Sequence, residues 1–293
     1  MDGVDRRTLL SGLAGGLALA AGAAAGGGAA DAQPRRASPL QTLERRRGGR
    51  LGVYALDVRS GRELACRADE RFLLASTFKA LLAGGVLAQA DVGRVRLDQR
   101  IEVPRDGLPG NSPVTQAARG RALTVAELCA ATVGVSDNAA ANLLLPLVGG
   151  PEGLTAFARR LGDRHTRIDR TEPELNLRAG VYDTTTPRAY AGSLREMLLG
   201  RTLAPDSREQ LWVWMHEAST GLRRLRGGFP RDWRAGDKTG TSGAGQTNDV
   251  AVAFKPNGGA VIVTAYYDAP RVADRARQDA LADVGRIVGA WAR

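Results

Sequence analysis

Apolar and polar positions alternate through residues 51–58 (LGVYALDV), and beyond Arg59-Ser60-Gly61-Arg62 a second short run follows at Leu64–Arg67. A period of two places one side of an extended segment in a core, so two such runs around a turn predict a β-hairpin. From Ser76 to about Gln89 the spacing becomes helical. Thr124 followed by Glu127 forms a capping box opening another helix, and helical spacing continues through Asp137–Leu147 and Glu152–Leu161. Residues 163–184 are polar, lack periodicity and contain Pro173 and Gly180, which predicts a long loop. Long ordered loops in compact domains usually carry function. Helices resume at about 187–199 and 206–218. The last third returns to strands at 231–241, 249–255 and 260–267, the latter two joined by Pro256-Asn257-Gly258-Gly259, and a final helix spans about 272–291.

Strands at both ends with helices between imply an α/β (α+β) fold, with one antiparallel sheet made from the N- and C-terminal segments, flanked by helices, beside an all-helical lobe. The sheet lobe would take about 33–67 and 219–293, and the helical lobe about 68–218. The seam between them is where a small-molecule cleft is expected.

The first 32 residues read as an address. Arg6-Arg7 precede an uncharged stretch from Thr8 to Ala30, which closes on Ala30-Asp31-Ala32, a small-x-small cleavage pattern. Asp5-Arg6-Arg7-Thr8-Leu9-Leu10 resembles a twin-arginine signal. Seven glycines make the stretch weakly apolar, which favours a removed signal over a membrane anchor. The mature protein is expected to begin near Gln33 and to work outside the cytoplasm, in a periplasm or the medium.

Composition narrows the chemistry. With 293 residues, 43% apolar and 25% charged, the chain is neither disordered, collagenous nor a coiled coil. Two His and two Cys exclude a His-rich metal cluster, a zinc finger and a disulfide framework, and a conventional triad would have to use His165 or His216. Cys66, in a predicted strand, and Cys129, near the end of a predicted helix, are expected to be small buried thiols. The net charge of +10 comes from arginines scattered between acids, with only 5% aromatics, so no nucleic-acid footprint is present. Only three of the 41 basic residues are lysines: Lys79, Lys238 and Lys255. Arginine cannot give up its proton whereas a buried lysine can be tuned into a base.

Two of those lysines fall inside motifs. In Ser76-Thr77-Phe78-Lys79, a Ser and a Lys three apart at a helix start share a face, so the amine can activate the hydroxyl beneath backbone N–H groups suited to an oxyanion. Ser136-Asp137-Asn138 lies between two helices, where each residue is also a good N-cap; as a functional motif it offers Ser136 as a proton relay and Asn138 as an amide for a substrate carbonyl. Lys238-Thr239-Gly240-Thr241 on a strand combines positive charge, hydroxyls for a carboxylate and a glycine that admits a ligand to the backbone. In Glu172-Pro173-Glu174-Leu175-Asn176, a carboxylate beside an amide could pin a water and remove its proton. Each motif alone also suits a bland turn, cap or strand.

Taken in order, the four resemble a class A serine β-lactamase across essentially the whole mature chain. Ser112-Pro113-Val114-Thr115 and Thr184-Thr185-Thr186-Pro187 are similar to the family's connecting segments. The resemblance implies a monomeric enzyme without metal or organic cofactor that opens penicillins and cephalosporins and so confers resistance. Ser76 would attack the lactam carbonyl, with the N–H groups of Ser76 and Thr241 around the oxyanion. Lys79, or Glu172 through water, would take the Ser76 proton, and Ser136 would pass a proton to the leaving nitrogen. Glu172 and Asn176 would position the deacylating water, and Asn138 would hold the substrate. Lys238, Thr239, Gly240 and Thr241 would receive the substrate carboxylate, helped by Arg224 or by Arg277 from the last helix. Arg170 and Asp183 would pair at the neck of the loop.

Departures from the family pattern are specific. Asn111 stands where many members have an aromatic ring, and Thr247 where some have an arginine. Ala83 removes the partner of Cys129 in a disulfide known from some members. Ala75 and Ser242 replace the cysteine pair of several carbapenem-hydrolysing members, which argues against that spectrum. The loop from Glu172 to Asp183 is shorter than usual, which suggests a roomier cleft and altered cephalosporin handling. Two other classes share the first three motifs: a penicillin-binding DD-peptidase, and a β-lactam sensor that acylates once. A serine-dependent glutaminase on a related fold is a further alternative. Turnover separates them.

Overall fold

The computed structural model describes residues 37–293; the twin-arginine segment and its cleavage pattern lie outside the described residues. Ser38 caps the first helix, α1 (Pro39–Arg47), through a reciprocal capping box with Gln41. The hydrophobic pattern does not announce this helix, because it buries only Leu40 and Leu43. The predicted hairpin follows as β1 (Arg50–Asp57) and β2 (Glu63–Cys66). A short β3 (Phe72–Leu73) leads into a 3₁₀ turn, Ala75–Thr77, and then α2 (Phe78–Asp91). Ser76 therefore sits in the 3₁₀ turn, not in the first turn of an α-helix as its spacing to Lys79 suggests.

Next come β4 (Arg100–Glu102), α3 (Pro113–Ala117), β5 (Ala122–Thr124), α4 (Val125–Gly134) and α5 (Asn138–Leu144). The expected Thr124–Glu127 capping box opens α4, and Cys129 lies in its middle. The helix expected through Leu147 ends at Leu144 and continues as a 3₁₀ turn, Leu145–Val148, because Pro146 has no N–H to extend the ladder. After α6 (Gly150–Arg160) the long loop contains one 3₁₀ turn, Glu174–Asn176, and ends in β6 (Thr184–Thr185), which pairs with β3. Then follow α7 (Pro187–Leu199), α8 (Pro205–His216), α9 (Leu225–Gly228), β7 (Arg234–Thr241), β8 (Gln246–Phe254), β9 (Ala260–Asp268) and α10 (Asp274–Trp291).

The five long strands form one antiparallel sheet in the order β2-β1-β9-β8-β7, so the two ends of the chain meet at β1 and β9. Alternation along each strand serves two cores. Val250, Val252, Ile262 and Tyr266 face the helical block built on α2, α4, α7 and α8. Val53, Ala55, Ala251, Val263 and Tyr267 face α1, α9 and α10. Burial on both faces explains why β8 and β9 read as nearly continuous apolar runs. Both cysteines are free and buried, on different sides of the sheet. Among the described residues no helix is long and apolar enough to cross a membrane.

At the β7 end, α9 and α10 touch backbone to backbone. A Cβ added at Gly285 would lie 2.3 Å from the Leu225 carbonyl oxygen and 3.0 Å from Gly228 Cα. Gly285→Val is therefore expected to lose about 1–3 kcal/mol by overpacking, which calorimetry would read as a melting temperature lower by several degrees. An unchanged melting temperature would show that the two helices can separate freely.

Candidate active site

Three segments converge at the edge strand β7, where the helical block meets the sheet. The 3₁₀ turn bearing Ser76 lies directly against β7, because a Cβ at Gly240 would meet the Leu74 carbonyl oxygen at 2.9 Å and the Thr77 nitrogen at 3.2 Å. Asn248 on β8 donates to the Leu73 and Leu74 carbonyls at 2.9 and 3.2 Å, tying the turn to the sheet from beneath. Tyr190 on α7 donates to the Thr77 carbonyl at 2.5 Å.

Around Ser76 the polar groups form one connected set. Ser76 Oγ donates to Glu172 Oε1 at 3.3 Å, and Lys79 Nζ lies 3.0 Å from the same oxygen. Lys79 Nζ also donates to Asn138 Oδ1 at 2.5 Å, to the Ser136 carbonyl at 2.8 Å and to Ser136 Oγ at 3.3 Å. From the other side, Lys238 Nζ donates to Ser136 Oγ at 3.1 Å. Both ammonium groups are fully buried. Burial lowers the pKa of Lys79 against the opposing pull of Glu172, and burial followed by the charge of Lys79 holds Lys238 well below the ordinary lysine range. Two amines with a reduced hold on their protons thus flank one hydroxyl, an arrangement that can pass a proton.

Ser136-Asp137-Asn138 divides its labour. Asp137 is the cap its residue type suggests: it accepts from Ala140 N, from the backbone of Val114 and Thr115, and from the Thr115 hydroxyl. That clamp turns Ser136 and Asn138 toward the cavity. Ser136 and Ala75 take positive φ values of 62° and 43°, as do Asn111 at 58° and Asp183 at 53°, conformations that β-carbon residues hold only under constraint from their surroundings.

Glu172 comes from the long loop, and its peptide bond to Pro173 is cis. Asn142 donates to the Glu172 carbonyl at 2.8 Å and accepts from its N–H at 2.9 Å, gripping the loop by the backbone of the residue that carries the carboxylate. Asn176 Nδ2 donates to Glu172 Oε2 at 2.5 Å, while Asn176 Oδ1 is buried with no partner among the described residues. At the loop neck, Arg170 Nε donates to Asp183 Oδ2 at 2.7 Å, and Asp183 Oδ1 accepts the N–H groups of Asp169 and Arg170.

Ser76, Asn111, Ser136, Asn138, Asn176, Thr220, Arg224, Thr239 and Thr241 line a cavity of about 260 Å³. Arg224 donates to the carbonyls of Gly240 and Asn248 and to Thr241 Oγ1 at 2.9, 2.7 and 2.7 Å. Arg277 does not join the lining: its Nε donates to Thr247 Oγ1 at 2.9 Å, and its remaining nitrogens serve Val272 and Asp274. Asn111 lines the cavity and donates to the Ser136 carbonyl at 2.9 Å. Residue patterns missed Asn142, Thr220 and Asn248. Asn142 could have been found, since it stands four residues after Asn138 and one turn along the same helix face; Thr220, 2.7 Å from Thr239 Oγ1, carries no comparable local signal. Among the described residues no group of His, Cys, Asp and Glu is placed to hold a metal ion.

A serine whose hydroxyl donates to a buried carboxylate that also holds a buried lysine, in a cavity with no histidine in its lining, defines a serine hydrolase that moves protons with amines and carboxylates. The chain matches the Beta-lactamase enzyme family over residues 35–292. It is 44% identical over 274 residues to Beta-lactamase L2 of Stenotrophomonas maltophilia, covering 92% of this chain and 90% of that protein. It is 45% identical over 255 residues to the Carbapenem-hydrolyzing beta-lactamase KPC of Klebsiella oxytoca, covering 86% of this chain and 87% of the relative. Among solved structures, the ancestral GNCA class A β-lactamase superposes with a TM-score of 0.83 at 53% identity, covering 85% of this chain and 96% of its own. The chain belongs to the class A serine β-lactamase family, enzymes that hydrolyse β-lactams and so give antibiotic resistance.

The neck of the loop is the part most exposed to a single change. Asp183→Ala removes a fully buried carboxylate that holds Arg170 and two amides, with an expected loss of about 3 kcal/mol. Limited proteolysis should then cut within residues 170–183 while the rest of the chain resists. An unchanged digestion pattern would mean that Asn142 and the 3₁₀ turn hold the loop without Asp183.

Proposed function

We propose that this enzyme opens the β-lactam amide of penicillins and cephalosporins through an acyl-enzyme on Ser76, and that a water activated by Glu172 releases the product. The observation that carries the proposal is the convergence of Ser76 Oγ and Lys79 Nζ on Glu172 Oε1. One carboxylate oxygen is thereby placed both to receive the serine proton and, once Ser76 is acylated, to face a water. The unpartnered Asn176 Oδ1 beside it is a second acceptor for that water.

In the first step Ser76 Oγ attacks the lactam carbonyl and its proton passes to Lys79 or toward Glu172. The N–H groups of Ser76 and Thr241 receive the developing oxyanion. Ser136, between Lys79 and Lys238, hands a proton to the departing nitrogen. In the second step Glu172 deprotonates the water, which breaks the acyl ester and returns the proton to Ser76. Lys238, Thr239, Thr241 and Arg224 bind the substrate carboxylate, while Arg277 acts on that site only through Thr247. Gly240 lets the backbone approach the substrate, and Asn138 holds the side-chain amide that penicillins and cephalosporins carry. The shorter loop from Glu172 to Asp183 leaves added room for cephalosporin side chains, and a crystal structure in which it superposes on longer homologues without extra cleft volume would refute that. Ala75 and Ser242, where several carbapenem-hydrolysing members carry a cysteine pair, argue against carbapenems as main substrates. The twin-arginine signal would deliver the folded monomer to a periplasm or the medium, where β-lactams are met.

Two substitutions test the steps. Glu172→Ala should lower steady turnover of benzylpenicillin by about 10²–10⁴-fold and accumulate a covalent adduct on Ser76, visible by intact mass. Undiminished turnover would remove Glu172 from deacylation. Lys79→Arg should slow acylation at least about 10²-fold, since Arg cannot release its proton; near-normal acylation would leave Lys79 only its charge. One equivalent of benzylpenicillin consumed by the unmodified enzyme, with a lasting adduct, would favour a penicillin-binding protein or sensor instead.

A further inference from the structure

On the sheet face opposite Lys238, two carboxyl groups meet in the protein interior. The register pairs Asp237 with Ala251 and Thr239 with Asp249, so Asp237 and Asp249 are diagonal neighbours on one side of β7 and β8. Both are fully buried. Asp237 Oδ1 accepts from Arg226 Nη1 at 3.1 Å, and Asp249 Oδ2 accepts from Leu225 N at 3.0 Å. Their other oxygens, Asp237 Oδ2 and Asp249 Oδ1, are buried and find no donor among the described residues. Two facing carboxylates can satisfy each other only if one carries a proton, and a single proton satisfies both oxygens at once.

The stretch held by this pair carries Arg224. Leu225 and Arg226 bind the two carboxyls directly, and Gly221 passes so close that a Cβ there would lie 1.7 Å from Asp237 Oδ2. Between these fixed points the Arg224 guanidinium reaches Gly240, Asn248 and Thr241 at the cavity wall. Charge matters as much as position. Arg226 pairs with Asp237, which Lys238 also attracts from the other side of the strand, and Arg224 attracts Asp249. Two ionised carboxylates behind Arg224 would offset the attraction it offers an incoming anion; none would leave Arg226 and Lys238 without a counter-charge.

We propose that Asp237 and Asp249 share one proton and act as a positioning pair for the substrate carboxylate, fixing Arg224 while presenting it with one negative charge instead of two. The proposal rests on Arg224 as a ligand of that carboxylate. Desolvation pushes both carboxyls upward, and the Asp237 charge adds to the upward push on Asp249.

The direct test is infrared spectroscopy of enzyme labelled with carbon-13 at its aspartate side chains. At neutral pH the folded protein should show the carbonyl stretch of a protonated carboxyl group, lost in Asp249→Asn. Absence of that band in the unmodified protein overturns the proposal whatever the variants do. Stability gives a second readout. An aspartate that stays neutral when folded but ionises near pH 3.9 when unfolded makes the fold less stable as pH rises above about 4. Asp249→Asn carries no such loss, so it should melt above the unmodified enzyme at pH 7, with the gap closing toward pH 4; melting below it at pH 7 would overturn the shared proton. Asp249→Ala, which leaves Asp237 Oδ2 without a donor, should raise KM for benzylpenicillin about tenfold with little change in kcat, and Asp249→Asn should restore most of it. Equal effects of Asp249→Ala on KM and kcat would overturn the positioning role. The infrared and melting readouts use no β-lactam, so a protein that passes them yet fails to turn over benzylpenicillin would sink the hydrolytic mechanism and leave the shared proton standing.

Discussion

The structure depends on keeping two ammonium groups out of water on either side of a single hydroxyl. Lys79 and Lys238 are both 0% exposed, and Ser136 Oγ lies 3.3 and 3.1 Å from their Nζ atoms. Removing an ion of that size from water costs several kcal/mol even after the protein relaxes. Lys79 is compensated by oxygens from Glu172, Ser136 and Asn138, which arrive on two elements remote in sequence from the lysine. Lys238 depends on Ser136 and on the Thr239 carbonyl. The same scarcity of solvent that lowers the lysines' hold on their protons makes each partner indispensable, so reactivity and structural demand have one origin.

That demand reaches outward through the backbone. Ala75 and Ser136 sit in the left-handed region beside the nucleophile and the relay, which costs of order 1–3 kcal/mol per residue. Each is held by a fixed neighbour. Asp137 spends its whole carboxylate on four donors next to Ser136, and Thr77 and Asn248 anchor the Leu74 carbonyl before Ala75. Asn142 and Asp183 do the same for the loop that delivers Glu172. Rigid groups at the site are thus supported by a shell of short polar side chains whose own hydrogen bonds are mostly to main chain. Such bonds fix position without adding further mobile charge.

The sheet supplies the remaining constraint. Its edge strand β7 can approach the Ser76 turn only because Gly240 has no side chain, and it stays in place because β8, β9 and β1 are packed on both faces. Lys238 projects toward the helical block while Asp237 projects toward α9 and α10. A single strand therefore carries the amine on one side and part of its counter-charge on the other.

Much of this was legible in residue patterns, for stated reasons. Period-two alternation at 51–58 and the turn at Arg59–Arg62 determine the first hairpin, and Thr124–Glu127 determines where α4 begins, because both are local energetics. The rarity of lysine singled out Lys79 and Lys238 before any geometry was known. Local pattern could not show that Ser76 occupies a 3₁₀ turn or that Arg277 turns aside to Thr247. Nor could it show that Asp237 and Asp249 face one another. Those outcomes rest on contacts between segments far apart in sequence, and the spacing of residues along a chain carries no term for them. Local pattern along the chain sets most of the elements and the chemical groups on offer; contacts between distant segments settle which of those groups meet, and burial sets what charge each can keep.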